Sequence, residues 1–214
     1  MIARSRLYKY VLAVFTACLF CLHLATPSYA NNIDEAHVFI NSLADKAFIA
    51  IAKTNLSETE KQTEFRALLR KGLDINFIAK FVLGPYRRKA TEQQIDQFTD
   101  AFEDFIILTY TYRFDEFKVK DLIIAGVTQE KRGNLTVSTD LILPSDSPSI
   151  HIDWRIHKLD DEWKIIDITI EGLSMMTIQR EEYVAVIRQG GGKIDYLINA
   201  LINKNKQLAQ RNLN

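Results

Sequence analysis

Residues 163–183 read WKIIDITIEGLSMMTIQREEY, and this stretch decides the fold class. Ile166, Ile168 and Ile170 alternate with other residues, and alternation at a period of two predicts a β-strand with one apolar face. Gly172 then introduces a polar run that carries two methionines, which is typical of a turn into a helix. The stretch therefore predicts a strand with an apolar face that some other part of the chain has to cover.

Three upstream stretches show the same period of two and complete a sheet. The segments between the strands read KRGN, PSDSP and LDDE, and they are short and rich in turn residues. Short turns join antiparallel neighbours, so the sequence predicts a four-stranded antiparallel meander. The predicted strands are Phe117–Val127, Asn134–Leu143, Ser149–Lys158 and Trp163–Glu171.

Helical spacing precedes the strands. An apolar stripe at spacings of three and four predicts a surface helix near the N-terminus. Ser57 and Glu60 have the spacing of a capping box, so a second helix is expected to begin there. Gly72 is expected to end that helix in the left-handed conformation. The stripe of the first helix consists of Ile40, Leu43, Ala44, Ala47 and Ile51.

Four further helices complete the predicted fold. Asp74 caps a short third helix, and Thr91 with Gln94 caps a long fourth one. After the strands, a fifth helix begins at Ser174, and three glycines at 190–192 separate it from a final amphipathic helix. Helices gathered around one antiparallel sheet define the α+β class. We therefore predict one α+β domain, a twisted four-stranded sheet wrapped by about six helices.

The first thirty residues have the three parts of a secretory signal peptide: a basic start, an apolar core and small residues that end at Ala30. The apolar core is too short to cross a hydrocarbon layer of ~30 Å. We expect cleavage after Ala30, with an uncleaved anchor or a lipidated cysteine as the alternatives. Both cysteines, Cys18 and Cys21, lie in this leader, so the expected mature domain, 31–214, has no disulfide, zinc–thiolate site or cysteine nucleophile.

The charge balance argues against a nucleic-acid partner. The chain has 27 basic and 27 acidic residues, and three of the basic ones lie in the leader. The expected mature chain then has 24 against 27, a formal charge of −3. Binding to nucleic acid calls for a basic patch or stripe, so we expect none.

Two polar arrangements could carry chemistry. His151, Asp153, Arg155 and His157 share one face of the third strand, where imidazoles and a carboxylate could bind a metal. A solvated polar face is favoured, because neighbours on one strand do not by themselves converge on an ion. Asp167 could be a buried general base in a cone-shaped cavity, but an acceptor that fixes the sheet to a neighbouring helix is the favoured interpretation. We expect neither catalysis nor a cofactor.

Two stretches of this chain resemble the MlaC family, known also as toluene-tolerance auxiliary proteins of ABC transporters. One stretch runs from residue 163 to 191, and its matching residues are Trp163, Asp167, Glu171, Gly172 and Ser174. The other stretch lies earlier in the chain, from residue 65 to 114, and its matching residues are Phe65, Leu68, Leu69, Asp74, Ile78, Ala79, Leu83, Gly84, Ala90, Thr91, Thr109 and Tyr110. The family commonly has tryptophan–arginine where this chain has Arg87–Arg88, which puts in doubt any role of that aromatic here.

The resemblance implies a periplasmic phospholipid carrier that helps to maintain the lipid asymmetry of the outer membrane. It implies two partners, an outer-membrane lipoprotein–porin complex and an inner-membrane ABC transporter that bears an MCE-domain protein. We expect a monomer that holds acyl chains between its sheet and its helices. The alternatives are a carrier of a solvent, sterol or quinone, a cavity enzyme that uses Asp167, and an interaction module with a filled core.

A cavity rather than a filled core is the critical expectation. Periodicity alone favours a filled core, whereas adjacent methionines adapt to variable shapes and favour a pocket. The basic cluster Arg87, Arg88 and Lys89 is the candidate contact for a headgroup or a partner, with a solvated turn as the alternative. The three glycines are expected to let the last helix swing at the mouth. The predicted lipid-binding wall consists of Phe77, Phe81, Phe98, Phe102, Phe105, Leu141, Ile166, Ile168, Ile170, Leu173, Met175 and Met176.

Overall fold

A computed structural model describes residues 28–52, 56–111, 119–144 and 148–211. Residues 1–27, which include both cysteines and most of the predicted signal peptide, lie outside the described residues. The chain divides into two compact units, 1–35 and 36–214. In the first unit, the described residues form the beginning of a helix in which the Asn31 amide donates to Glu35 at 2.6 Å. The second unit contains the sheet and the rest of the helices.

The predicted α+β class is confirmed, with six α-helices and one five-stranded sheet in the described part of the chain. Short 3₁₀ segments occur at Gly84–Arg88 and Lys131–Gly133. The helices are α1 Ser28–Ala52, α2 Glu58–Gly72, α3 Ile75–Val82, α4 Glu92–Thr111, α5 Met175–Gln189 and α6 Ile194–Arg211. The strands are β1 Asp121–Gln129, β2 Leu135–Ile142, β3 Ile150–Leu159, β4 Glu162–Ile170 and β5 Leu173–Ser174.

The predicted helix caps at the starts of α2 and α4 are present. The Glu60 N–H donates to Ser57 Oγ at 3.3 Å, and the Ser57 N–H donates back to the Glu60 carboxylate at 2.8 Å. Thr91 and Gln94 make the equivalent pair of bonds, each at 3.1 Å. Each pair satisfies amide groups that the first turn of a helix leaves without partners. These local signals place the starts of both helices correctly.

Gly72 ends α2 as predicted, but it does not adopt the predicted left-handed conformation. Gly72 is the last residue of α2 and is not among the residues with positive φ, and the capping residue Leu73 is extended. A Cβ at Gly72 would lie 2.6 Å from Leu43 Cδ2, so the glycine lets α1 approach the end of α2 closely. Its role depends on a contact between two helices, which the sequence of either helix does not reveal.

The sheet has the order β1-β2-β3-β4-β5, and every neighbouring pair is antiparallel. The four predicted strands are confirmed within the described residues, although Phe117, where the first was predicted to begin, lies outside them; β5 is an additional short strand. It forms because Glu171 and Gly172 make a tight turn that pairs Ile170 with Leu173. The turn brings the chain directly from the sheet into α5.

A β-bulge in β4 changes which residues face inward. Arg155 pairs with Asp167 whereas Ile156 pairs with Ile165, so Ile166 is an extra residue on β4. Both Ile165 and Ile166 are consequently buried, although simple alternation places them on opposite faces. The bulge thus adds one more isoleucine to the apolar side of the sheet.

Two apolar clusters hold the second unit together. One joins α3, α4, α5 and α6 around Tyr183, whose ring meets those of Phe98 and Phe102 edge to face at 5.6 and 5.9 Å. The other joins α1 to the sheet around Ile40 and Ile156. The space between these clusters contains the candidate site.

Candidate functional site

An apolar cavity of about 440 Å³ lies between the sheet and five of the helices. This volume falls within the range of about 300–1,000 Å³ that is usual for ligand sites. Only three of its lining residues are polar: Tyr110, Asp167 and Gln179. The lining contains no lysine, arginine or histidine, so the described wall offers a ligand hydrocarbon contacts and no cation.

The structure brings eight of the twelve predicted wall residues together along this cavity. They come from the inner face of α4, from the apolar side of β2 and β4, and from the first turn of α5. Their role in lipid binding stays a prediction. The eight are Phe102, Phe105, Leu141, Ile166, Ile168, Ile170, Met175 and Met176.

The other four predicted wall residues do not line the cavity. Phe98 is fully buried in the helical cluster, where it stacks on Phe102 with ring centroids 5.8 Å apart. Phe77 is 40% exposed and lies 5.6 Å from the ring of His157. Phe81 lies beneath the Arg180 guanidinium at 5.1 Å, and Leu173 is 60% exposed in the turn before α5. Helical periodicity identified apolar residues here without showing which neighbour each one meets.

The largest part of the wall that was missed comes from α1 and α2. The stripe on α1 was recognised in the sequence but interpreted as a surface helix, and the phenylalanine and leucines of α2 were noted only as family residues. The β4 bulge adds Ile165, which alternation alone had placed on the polar face. The α1 and α2 contributions are Ile40, Leu43, Ala44, Ala47, Phe48, Phe65, Leu68 and Leu69.

Asp167 fixes the sheet to the start of α5. Its carboxylate accepts hydrogen bonds from Ser174 Oγ at 2.7 Å and from the Met176 N–H at 3.1 Å, and only 6% of it is exposed. The Arg155 guanidinium lies 3.8 Å away. The carboxylate also lies favourably at the positive end of the helix dipole. These contacts confirm the structural interpretation of Asp167, since both oxygens are engaged as acceptors.

The polar face of β3 pairs with carboxylates on other elements. His157 Nε2 lies 2.9 Å from Asp74, which also caps α3 through the Phe77 N–H. His151 Nδ1 lies 2.9 Å from Asp140, and this hydrogen bond raises the pKa of His151 above its ordinary value of 6.5. Within the described residues, no group of three or more side chains is arranged to hold a metal ion.

Ion pairs hold α2 against α4 behind the cavity wall. Glu103 is only 6% exposed and accepts from Arg66 at 3.0 Å and from Arg70 at 2.8 Å. Arg66 also donates to Asp104 at 2.7 Å. Two guanidinium groups on one carboxylate satisfy a buried charge that would otherwise be costly. The ion pairs therefore hold α2, with its phenylalanine and leucines, beside α4, which contributes Phe102, Phe105 and Ile106 to the same wall.

The predicted basic cluster lies on the exposed 3₁₀ turn after α3. Arg87, Arg88 and Lys89 are all exposed, and none of them lines the cavity. The turn is possible because Gly84 has a left-handed φ of 57° and leaves room for Arg180 and Val184 of α5. The cluster remains a candidate contact for a headgroup or a partner.

The three glycines end α5 in a hydrogen-bonded turn. Gly191 donates to Arg188 O at 3.1 Å and Gly192 donates to Ile187 O at 2.8 Å. Gly191 has a φ of 69°, so the arrangement is a Schellman motif, which requires a left-handed residue. No residue of α6 lines the cavity, so the structure does not place the final helix at the cavity mouth as expected, and its swing stays a prediction.

The fold and the cavity define a class of protein: an α+β protein that encloses an apolar site between an antiparallel sheet and helices. A model of the MlaC protein family matches residues 41–203, and the chain belongs to this family. None of the helices in the described ranges is long and apolar enough to cross a membrane.

Two known proteins are similar to this chain. It is 21% identical over 182 residues to the intermembrane phospholipid transport system binding protein MlaC of Haemophilus influenzae, covering 82% of each chain. The fold is similar to that of the phospholipid-binding protein from Ralstonia solanacearum, solved in complex with a phospholipid. The TM-score is 0.66 at 20% identity, and the similarity covers 82% of this chain and 99% of the other.

Proposed function

We propose that this protein is a periplasmic phospholipid carrier that holds acyl chains in the cavity and leaves the headgroup outside. The observation that carries the proposal is the apolar wall: among the described residues that line it, the only charged one is Asp167, which already accepts two hydrogen bonds. A phosphate group would find no cation in that wall, whereas a hydrocarbon chain would be surrounded by apolar side chains. Membership of the MlaC family and the phospholipid named for both relatives support the same cargo.

The energetics suit a carrier better than a permanent binder. About thirty methylenes of a diacyl lipid contribute roughly 24 kcal/mol on leaving water, at about 0.8 kcal/mol each. This exceeds the practical limit of about 18–21 kcal/mol for non-covalent affinity. A membrane is therefore the relevant reference, because the chains are already dry there. An apolar wall that matches the membrane within a few kcal/mol allows both loading and release.

The proposed route joins the two membranes of a Gram-negative cell. The carrier receives or delivers lipid at an outer-membrane lipoprotein–porin complex and at an inner-membrane ABC transporter with an MCE-domain protein, and so maintains outer-membrane asymmetry. The predicted signal peptide and the family support this placement. The exposed cluster of Arg87, Arg88 and Lys89 is suited to contact a phosphate headgroup or an acidic partner surface. No catalytic step is part of the proposal.

Native mass spectrometry of the protein purified from a Gram-negative periplasm tests the cargo. We expect a mass increment of one or more phospholipids, identified by fragmentation after release. An increment that corresponds to a sterol or a quinone would assign a different apolar cargo. A protein that is folded and carries nothing would overturn the proposal.

The variant Ile168→Asn tests whether the cavity is the site. It places an amide among hydrocarbon, which costs about 1–3 kcal/mol, equivalent to about 5- to 150-fold in affinity. Ile123→Asn is the matched control, because Ile123 lies on the same sheet, is 51% exposed and does not line the cavity. We expect phospholipid to be lost from the first variant and retained in the second. Equal occupancy in the two folded variants would contradict the assignment of the site.

A further inference from the structure

A second concave site lies between α4 and α6. It is an open groove of about 740 Å³, and none of its lining residues lines the apolar cavity. One face of α4 forms one side of this groove and one face of α6 forms the other; we call these two sides the rails of the groove. At about 1.5 Å per residue, the rail from Gln97 to Leu108 is about 17 Å long, and that from Asp195 to Ala209 is about 21 Å long. These dimensions match three to four turns of an added helix.

The floor of the groove is apolar and partly open to solvent. Ala101 and Ile198 are buried at its base, while Ile202 is 39% exposed and Leu108 is half-buried. An exposed isoleucine between two helices can be covered by a third helix that inserts its side chains between the rails. The groove thus offers apolar anchor points at helical spacing.

The rims of the groove carry an excess of negative charge. Asp100, Asp104 and Asp195 line it, against a single lysine, Lys206. Asp104 pairs with Arg66, and Asp195 accepts from the uncharged amide of Gln94 at 2.8 Å. The charges of Asp100 and Asp195 are therefore not neutralised by these contacts. A cationic ligand is favoured at this surface and an anionic one is repelled.

Asn205 fixes the base of the groove. It lines the groove, is only 8% exposed, and its Nδ2 donates to Ala101 O of α4 at 2.8 Å. This hydrogen bond holds the two helices at the separation that leaves the groove open between them.

We propose that this groove docks a basic amphipathic helix of a partner protein. Apolar residues on one face of that helix would cover Ile202 and Leu108, and flanking lysine or arginine side chains would meet Asp100 and Asp195. The proposal concerns an interaction surface and does not depend on which cargo the cavity holds, because the two sites share no residue.

A synthetic peptide probes this surface directly. The probe is a blocked fourteen-residue helix with leucines at spacings of three and four and lysines beside them; a second peptide has every lysine replaced by glutamate. We expect the basic peptide to bind at least about tenfold more tightly than the acidic one, and less tightly as salt rises. In ¹⁵N-resolved NMR spectra, the shifts should centre on the amides of Ala101, Ile202 and Asn205.

A matched pair of variants separates the groove from general acidity. Asp100→Asn removes a rim charge without changing shape, and it should weaken binding of the basic peptide severalfold. Asp161→Asn is the control, since Asp161 is an exposed carboxylate in the β3–β4 turn and does not line the groove. Native mass spectrometry of the same samples should show cargo occupancy unchanged by the peptide.

Three results would overturn the proposal. The first is equal binding of the two peptides, or equal weakening by the two variants. The second is NMR shifts around Phe105 and Ile168 with loss of cargo, which would place the peptide in the apolar cavity. The third is a protein dimer, seen by sedimentation, that the peptide disperses, because the groove would then be occupied by a second copy of this chain.

Discussion

Asp167 joins the sheet to the helical wall, because it lies on β4 and accepts hydrogen bonds from Ser174, the N-cap residue of α5, and from Met176 in its first turn. Replacement by alanine would leave the buried Met176 N–H without a partner and remove a negative charge from the helix N-terminus. We expect Asp167→Ala to lower the free energy of unfolding by about 1–4 kcal/mol. Urea denaturation followed by circular dichroism measures this change.

The substitution Asp167→Asn supplies the comparison for that prediction. Asparagine keeps one acceptor oxygen for the Met176 N–H and loses the charge and the second acceptor, which serves Ser174 Oγ, so it should cost less than alanine. If the two variants were equally stable, the hydrogen bonds to α5 would not contribute as argued.

His151 makes stability depend on pH through its contacts with two carboxylates. Its Nδ1 lies 2.9 Å from Asp140 and its Nε2 lies 3.3 Å from Asp153, and the hydrogen bond to Asp140 raises the pKa of His151. A raised pKa means that this stabilisation is fully present below the ordinary value of 6.5 and is lost as the pH rises through the folded-state pKa. We expect Asp140→Asn to lower the urea midpoint more at about pH 5.5 than at about pH 8.5.

The sign of that difference is the decisive result. Because 45% of the His151 side chain is exposed, the effect should be small and should decrease with salt. In a His151→Gln background, the effect of Asp140→Asn should no longer depend on pH. A difference that grows as the pH rises would contradict the assignment to His151.

At the scale of single elements, the sequence predicted those structural features that depend only on residues close together in the chain. The capping pairs of Ser57 with Glu60 and of Thr91 with Gln94 could be predicted, because each pair lies within one helical turn. The bulge at Ile166 could not, because an extra residue on β4 is defined only against its partner β3. The role of Gly72 could not be predicted either, because the absence of a Cβ matters only where Leu43 of another helix packs against it.

The end of α5 provides a test of such a contact between elements. A Cβ on Gly190 would lie 2.3 Å from Cγ of Tyr196 at the start of α6, although its φ of −79° suits any residue. The cost of Gly190→Ala is therefore steric, and we expect it to lower the free energy of unfolding by about 1–3 kcal/mol. Thermal and urea denaturation measure the change.

Two further variants isolate the contact with Tyr196. Adding Tyr196→Ala to Gly190→Ala should recover most of the lost stability, because the ring that the Cβ would meet is gone. Gly126→Ala is a control without crowding, since nothing lies within 4 Å of a Cβ at that glycine. If the double variant were as unstable as Gly190→Ala alone, the turn itself rather than the ring would set the cost.

At the scale of the whole cavity, its wall combines residues that are far apart in the sequence, from Ile40 to Gln179. Periodicity correctly marked the apolar faces of α1, α4 and β4, because each face is encoded within its own element. It could not show that the α1 stripe closes the cavity, or that Phe98 lies in the helical cluster instead. Those outcomes depend on which faces meet, and only the assembled fold decides this.

A substitution that fills the cavity from α1 tests whether this empty volume is what holds the cargo. Ala44 lines the cavity, so Ala44→Trp should place an indole where acyl chains are proposed to lie. We expect most of the co-purifying phospholipid to disappear while the free energy of unfolding is kept or raised, since filling cavities commonly adds about 0.5–2 kcal/mol. Ala200→Trp is the control, because Ala200 is exposed on α6 and does not line the cavity. Full phospholipid occupancy in a folded Ala44→Trp protein would mean that the lipid is bound elsewhere.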